Sequence, residues 1–509
     1  MKKIAEFVAS YQEEHHGGKE RKEAMDTVWR IGTVILGSVM FWNLLFAVVI
    51  VFFGRRDPRS VWAWLLLLFL LPGAGFVFYL FLGGNLHKRK MFRAKELEEN
   101  LQELLCDQKS VLKRKREDSD ADISGYEDLV MYNMESADAL LLEENDIDIF
   151  TDGNRKFEAL MADIERAEHF IHLQYYIIRN DVLFGRMLEV LKRKAAEGVE
   201  VRILFDGMGC RGTGKRFWKK LRREGLHVAE FFPAVFGRLQ LRMNYRNHRK
   251  IAVIDNRVAY VGGFNIGREY VDLDSEFGHW RDTHLRIRGM GVIGLQLRFL
   301  LDWRYAAGEE LLGYEKLFLS PEPGTRDSCK LQVISSGPDN SLEQIRDNYL
   351  RLISKAEKRI CIQTPYFIPD EAVLNALLIA VRSGVEVNLM IPCKPDHPFV
   401  YWATYSYAGQ LLNAGANCYI YENGFLHAKS LVVDGRAFCC GTANLDIRSF
   451  SLNFEVNVMV YSRRKAREVE RLFFEDIPHC TRLTRDAYAA RKLKVRFMEQ
   501  TCRLLSPLL

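Results

Sequence analysis

His248-Arg-Lys250-Ile-Ala-Val-Ile-Asp255 and His427-Ala-Lys429-Ser-Leu-Val-Val-Asp434 are one pattern written twice in a chain of 509 residues. The agreement continues downstream, to Gly262-Gly263-Phe264-Asn265 in the first copy and Gly441-Thr442-Ala443-Asn444 in the second. In both copies 17 positions separate the His from the Asn. Alternate side chains of an extended strand share a face, so each His and its Lys project together. The apolar residues after them carry the strand into a core. Asp255-Asn256 and Asp434-Gly435 are hairpin signals, and Asn265 and Asn444 fall just past the returning strands. If the two halves pack about a pseudo-twofold axis, the two His–Lys faces meet in one cleft.

The repeat extends well beyond the motif. Ile164-Glu-Arg-Ala-Glu-His-Phe-Ile-His-Leu-Gln174 matches Ile353-Ser-Lys-Ala-Glu-Lys-Arg-Ile-Cys-Ile-Gln363. Gly198-Val-Glu-Val-Arg-Ile-Leu matches Gly384-Val-Glu-Val-Asn-Leu-Met, a glycine helix stop followed by a buried strand. Glu224-Gly225-Leu226-His227-Val228 and Ala414-Gly415-Ala416-Asn417-Cys418 each lead into a further strand. Strands and helices alternating at this spacing predict an α/β sandwich in each half, a duplicated domain rather than a solenoid.

Such a cleft suits phosphodiester exchange. A neutral imidazole can attack phosphorus and form a phosphohistidine. A second, protonated imidazole can donate to the departing alkoxide and then take a proton from the incoming alcohol. Lys250, Lys429, Asn265 and Asn444 can stabilise the non-bridging oxygens. Carboxylates can fix each imidazole's tautomer, and Glu455, with Asp282 as its looser first-half counterpart, is the candidate. Asp255 and Asp434 sit in turns and suit structure as well as chemistry. No metal or other cofactor is expected, because lysines supply the cations and a side chain the nucleophile. Gly263 stands where the second copy has Thr442, so the halves are expected to divide labour.

The paired motif resembles the phospholipase D superfamily, and the whole chain resembles its bacterial cardiolipin synthases. The closer likeness rests on Arg56-Asp57-Pro58, Asn85-Leu86, Gln174 to Asp181, Gln363 to Pro369, Asn444-Leu445-Asp446-Ile447-Arg448-Ser449 and the terminal Leu504 to Leu509. The resemblance implies duplicated phospholipase D-like α/β lobes and conversion of two phosphatidylglycerols to cardiolipin and glycerol. It also implies His248 as nucleophile and His427 as acid, although the residues alone leave these two equivalent. The rivals are a phospholipase D-type hydrolase, with water as acceptor, and a non-catalytic lipid-binding scaffold; both motifs are intact, which opposes the scaffold.

The N-terminal region is greasy. Residues 31–53 and 61–82 are uncharged runs, each long enough to cross a bilayer. The second is interrupted by Leu71-Pro72-Gly73, which also allows a re-entrant hairpin. Six Lys/Arg in residues 1–30 and five in 88–95, against three in the intervening loop, favour both ends in the cytoplasm. The expected organisation is a membrane hairpin over 1–95, a charged linker over 96–145, a first lobe over 146–325 and a second lobe with C-terminal helices over 326–509. The expected location is the bacterial inner membrane, multi-pass, with cytoplasmic lobes. The partners would be phosphatidylglycerol and anionic lipids. The net charge of +6, from 72 basic and 66 acidic residues, is too mild for a nucleic-acid binder. The ten cysteines show no C-x-x-C pair and read as packing residues. Phe231 to Phe236 reads as a strand end, or alternatively as an apolar lip admitting acyl chains.

Overall fold

Each half opens its α/β unit in the same way. Asp181 caps the helix Val182–Ala196, accepting from Leu183 N and Phe184 N; Asp370 caps Glu371–Arg382 through Val373 N. Gly198 and Gly384 then turn the chain at φ 94° and 91°, a left-handed conformation in which a Cβ is strained. They lead into the buried strands Glu200–Asp206 and Glu386–Pro392. This is a computed structural model, and it describes residues 2–53, 58–82, 106, 108, 123–232, 245–309 and 328–506.

Most of the described strands form one mixed sheet whose order repeats about its centre; Phe367–Ile368 with Leu445–Asp446, and Trp280–Arg281 with Phe425–Leu426, form two separate short pairs. From the centre outward, the first half contributes Leu142–Phe150, His284–Arg288, Val258–Gly262, Ile251–Ile254, Phe170–Tyr175, Glu200–Asp206 and His227–Phe231. The second contributes Cys329–Ser336, Asn453–Tyr461, Ala437–Gly441, Ser430–Val433, Arg359–Gln363, Glu386–Pro392 and Asn417–Tyr421 in the same relative order. Leu142–Phe150 and Cys329–Ser336 join antiparallel, Leu142 opposite Leu331. An antiparallel pair is locally twofold, so this seam carries the pseudo-symmetry axis. One apolar core belongs to each half, and a third lies across the seam, where Leu285 and Ile287 join Val456 and Val458. The adjacent Cys439 and Cys440 point into two different cores, as strand alternation requires. All ten cysteines are free thiols, seven of them buried.

Folded chain begins before the expected first lobe. Residues 123–141, read from their charge as linker, contain the helix Glu127–Ala137, whose Leu129, Val130 and Met134 are buried in the second half's core. Its Asn133 Nδ2 donates to Gln332 and Asn348, and Asp128 pairs with Arg351 and Lys355. The apolar stripe is short and its partners lie about 200 residues later, so local composition hides it. The basic cluster Lys113 to Arg116 and residues 233–236 of the supposed lip lie outside the described residues. The C-terminal region is not purely helical. Cys480–Leu483 adds an antiparallel strand to Asn417–Tyr421, between the helices Arg463–Asp476 and Leu493–Leu505.

Residues up to 85 form a separate unit. One long helix, Lys2–Phe53, includes Met25–Phe52, which is long and apolar enough to cross a membrane. The second apolar run is interrupted where the sequence places Leu71-Pro72-Gly73. It is broken into Pro58–Leu70 and Ala74–Leu82, because Pro72 lacks a donor and Gly73 adopts φ 75°. Asn43 of the long helix serves the break, accepting from Gly73 N at 3.1 Å and donating to Leu68 O at 3.1 Å. That is how a helix break is tolerated away from water.

Candidate active site

Two very short strands set the site. Arg246–Asn247 pairs with the start of Asn453–Tyr461, Asn247 opposite Phe454. His248 N continues the ladder by donating to Phe454 O at 2.9 Å, which brings His248 beside Glu455. Phe425–Leu426 pairs with Trp280–Arg281, and His427 N donates to Arg281 O at 2.7 Å, which brings His427 beside Asp282. Each motif therefore runs in along a strand of the opposite half, and each imidazole meets the other half's carboxylate.

The side chains complete the exchange. His248 Nδ1 lies 2.9 and 3.1 Å from the two Glu455 oxygens, and His427 Nδ1 lies 2.7 Å from Asp282 Oδ2. A carboxylate there keeps the proton on Nδ1 and leaves Nε2 with its lone pair. Glu455 also accepts from Thr442 Oγ1 at 2.6 Å and from Asn453 Nδ2 at 3.1 Å. Asp282 accepts from Thr283 N at 2.7 Å. The Gly263/Thr442 difference follows from this packing. A Cβ at Gly263 would lie 2.0 Å from Asp282 Oδ1, whereas the longer Glu455 reaches a threonine hydroxyl.

Lys250 Nζ donates to His248 O at 2.7 Å and Lys429 Nζ to His427 O at 2.6 Å. An ammonium has three donors, so each lysine retains capacity for a phosphoryl oxygen. Burial pushes both imidazoles down to about 4; Lys250 and Lys429 add to this, while Glu455 and Asp282 oppose it. Lys429 also depresses His248, and Lys250 depresses His427. Each lysine thus acts on the opposite imidazole, which puts both motifs in one electrostatic site. Burial lowers Lys429 to about 8 and drives Lys250 well down. Burial alone would raise the Asp282 and Glu455 carboxyls; the neighbouring cations and imidazoles outweigh it and hold both below the usual range.

A pocket of about 160 Å3 opens over His248, walled by residues of both halves, including Tyr176, Arg246, Tyr366, Asn444 and Arg448. Tyr176 meets the His248 ring edge-on, with centroids 5.0 Å apart, and Trp280 lies 5.2 Å from the His427 ring. Asn444 is in the wall with its Oδ1 buried and unpartnered. Asn265 has a different position from its repeat mate. Its Oδ1 accepts from Ile177 N and its Nδ2 donates to Tyr270 Oη, so its side chain braces a loop.

Asp255 and Asp434, expected among the chemical groups, stand in the hairpin turns at φ 51° and 55°. Asp255 accepts from the backbone N–H groups of Glu168, His169 and Phe170, and Asp434 from those of Glu357, Lys358 and Arg359. They bind each hairpin turn to the start of a neighbouring strand, and these contacts occupy their carboxylates away from the imidazoles. His172 is packing, stacked 4.5 Å from both Phe170 and Phe299. Sequence reasoning missed Arg246, Arg448 and Asn453. Arg246 was accessible to it, two residues before His248 and hence on the same strand face.

Comparison with known proteins agrees with this geometry. A family model described as "Cardiolipin synthase, PLD-like domain" matches residues 160–283 and 349–477. Another, "Phospholipase D-nuclease N-terminal", matches residues 41–84. The cardiolipin synthase of Oceanobacillus iheyensis is 45% identical over 481 residues, covering 94% of this chain and 100% of that protein. The major cardiolipin synthase ClsA of Bacillus subtilis (strain 168) is 44% identical over 481 residues with the same coverage. Among solved structures, the phosphatidylserine synthase of Haemophilus influenzae Rd KW20 matches with a TM-score of 0.56 at 15% identity, over 77% of this chain and 100% of that one. That likeness is one of fold.

Proposed function

This chain belongs to the cardiolipin synthases built on phospholipase D-like domains, and on that premise we propose that its two imidazoles act in turn on one phosphorus atom through a covalent phosphohistidine. The chain is a phosphatidyltransferase that makes cardiolipin. The observation that carries the mechanism is the reciprocal pairing of His248 with Glu455 and of His427 with Asp282.

The donor is phosphatidylglycerol. His248 is the imidazole in the pocket wall, which supports it as the nucleophile. Neutral in the empty site, its Nε2 attacks the phosphodiester phosphorus. His427 is the acid. The anionic substrate raises its proton affinity by Coulombic attraction, so it arrives protonated and gives that proton to the departing glycerol oxygen. A second phosphatidylglycerol then loses a hydroxyl proton to His427, attacks phosphorus and frees His248. Lys250 and Lys429 stabilise the non-bridging oxygens. The Lys/Arg excess at both ends of the apolar N-terminal region supports cytoplasmic lobes held at the inner membrane.

The test is product identification after mixing purified protein with phosphatidylglycerol vesicles. Cardiolipin and glycerol in equal amounts are expected, with an acid-labile phosphatidyl group on His248 when the wild-type reaction is quenched during turnover and none in a His427→Ala variant, which lacks the acid for the first step. Phosphatidic acid and glycerol as the main products would replace exchange by hydrolysis.

A further inference from the structure

Transfer brings two phosphodiesters into one cleft. On the reading above, the first is bonded to a histidine beside Lys250 and Lys429. The second belongs to the acceptor and lies only three glycerol carbons from the attacking oxygen. Two anions so close in a partly dry site repel, so the second requires cations of its own.

The pocket wall holds such a pair, one from each half. Arg246 precedes His248 by two residues, and Arg448 lies in the first turn of the short helix Ile447–Ser451. After burial, the charge of Arg246 is the next cause depressing Arg448, so the two guanidiniums are near enough to repel, and a phosphate bound between them would relieve that repulsion. A guanidinium fork matches phosphate geometry. Asp206 and Asp446 lie near enough to temper this charge, and both also accept backbone N–H groups. Asp206 accepts from the N–H groups of Met208, Gly209 and Asn247, and Asp446 from Ser449 N.

Two orphaned acceptors stand in the same wall. Asn453 Nδ2 donates to Glu455, which fixes the amide's orientation; its Oδ1 and that of Asn444 are buried without partners. Buried acceptors of this kind are satisfied by a donor from outside. The acceptor headgroup carries two hydroxyls.

We propose that Arg246 and Arg448 form an acceptor-phosphate subsite, holding the headgroup phosphate of the incoming phosphatidylglycerol while Asn444 and Asn453 take its hydroxyls. In that pose the terminal hydroxyl oxygen bonds to phosphorus as the phosphorus–nitrogen bond breaks, and the hydroxyl proton passes to His427. The subsite rests on the phosphohistidine reading and deepens it.

The experiment sets two acceptors in competition. Full-length protein in phosphatidylglycerol vesicles with excess labelled glycerol yields cardiolipin when lipid accepts and labelled phosphatidylglycerol when glycerol accepts. Glycerol carries no phosphate. Arg246→Gln and Arg448→Gln are each expected to lower the cardiolipin-to-labelled-lipid ratio about tenfold, and Arg448→Lys, which keeps the charge and disturbs the fold least, by a smaller factor. An unchanged ratio in these variants, or a parallel fall of both products, overturns the subsite. Failure of the underlying reading looks different, because no acid-labile phosphatidyl group would then be trapped on His248 of the wild-type protein.

Discussion

Thr442 donates its hydroxyl to Glu455 Oε2 at 2.6 Å and accepts from Val456 N at 3.0 Å, whereas the matching Gly263 leaves room only for the Asp282 carboxylate itself. Two copies of one motif have thus reached the same imidazole–carboxylate pairing by different packing. Thr442→Val removes a buried hydroxyl that serves two partners, so a loss of about 1–3 kcal/mol is expected in chemical denaturation. Gly263→Ala drives a methyl into Asp282 and is expected to abolish activity. A Gly263→Ala enzyme working at the wild-type rate would contradict this account.

Glu455→Gln and Asp282→Asn keep a hydrogen-bonding shape but lose the charge that sets the tautomer. Each is expected to lower kcat by roughly 10²–10⁴-fold, by analogy with the same change in other imidazole–carboxylate pairs. Both changes should reduce the acid-labile phosphatidyl loading of His248, because glycerol departs in the same step that forms the phosphorus–nitrogen bond. Either variant within tenfold of wild type would remove the crossed carboxylates from the mechanism.

Asp255→Ala leaves three backbone donors without their acceptor, one of them buried and two part-buried. Its loss should exceed about 3 kcal/mol at roughly 1–3 kcal/mol per unsatisfied group. Asp434→Ala should do less, because water can reach two of its three donors. The protein that still folds should keep its KM. Urea titration and steady-state kinetics on the same preparations decide it; a raised KM with unchanged stability would restore these residues to the chemistry.

On the proposed mechanism Lys429 must be charged, and burial brings its pKa down to about 8. Because His427, near 4 in the free enzyme, must also carry a proton, kcat/KM is expected to fall across neutral pH and more steeply above about 8. An unchanged slope through about 8 would exclude Lys429 from transition-state stabilisation.

Stability has its own pH dependence. His248 and His427 titrate near 4 when folded and near 6.5 when unfolded. Between these values the unfolded chain binds more protons, so stability falls as pH drops from about 6.5 toward 4 and is full above that window. His248→Asn should flatten the slope measured by denaturation at stepped pH, and an undiminished slope would refute the assignment.

The halves were legible because their local signals recur. The His–Lys spacing, the hairpin turns (Asp255 and Asn256 at φ 51° and 53°, Asp434 and Gly435 at 55° and 58°) and the glycine stops all act within a few residues. What the sequence hid acts at long range. The helix Glu127–Ala137 finds its core partners far along the chain, and nothing near His248 announces that Glu455 will meet it. The repeated Gln174 and Gln363 showed their equivalence but not their duty, which is to donate to the buried Asp302 and Asp476. The break in the second apolar run was legible for the same reason as the turns, because Pro72 and Gly73 act locally.

The short strands that lead into each motif lie against the other half, and this changes what the duplication means for the protein's history. A spare copy is ordinarily free to drift once its twin suffices. On the proposed mechanism each copy keeps the acid that its twin needs, so damage to one would silence both. Neither could have been relaxed since the exchange was established, which is reason enough for two separate stretches of chain to go on spelling the same words.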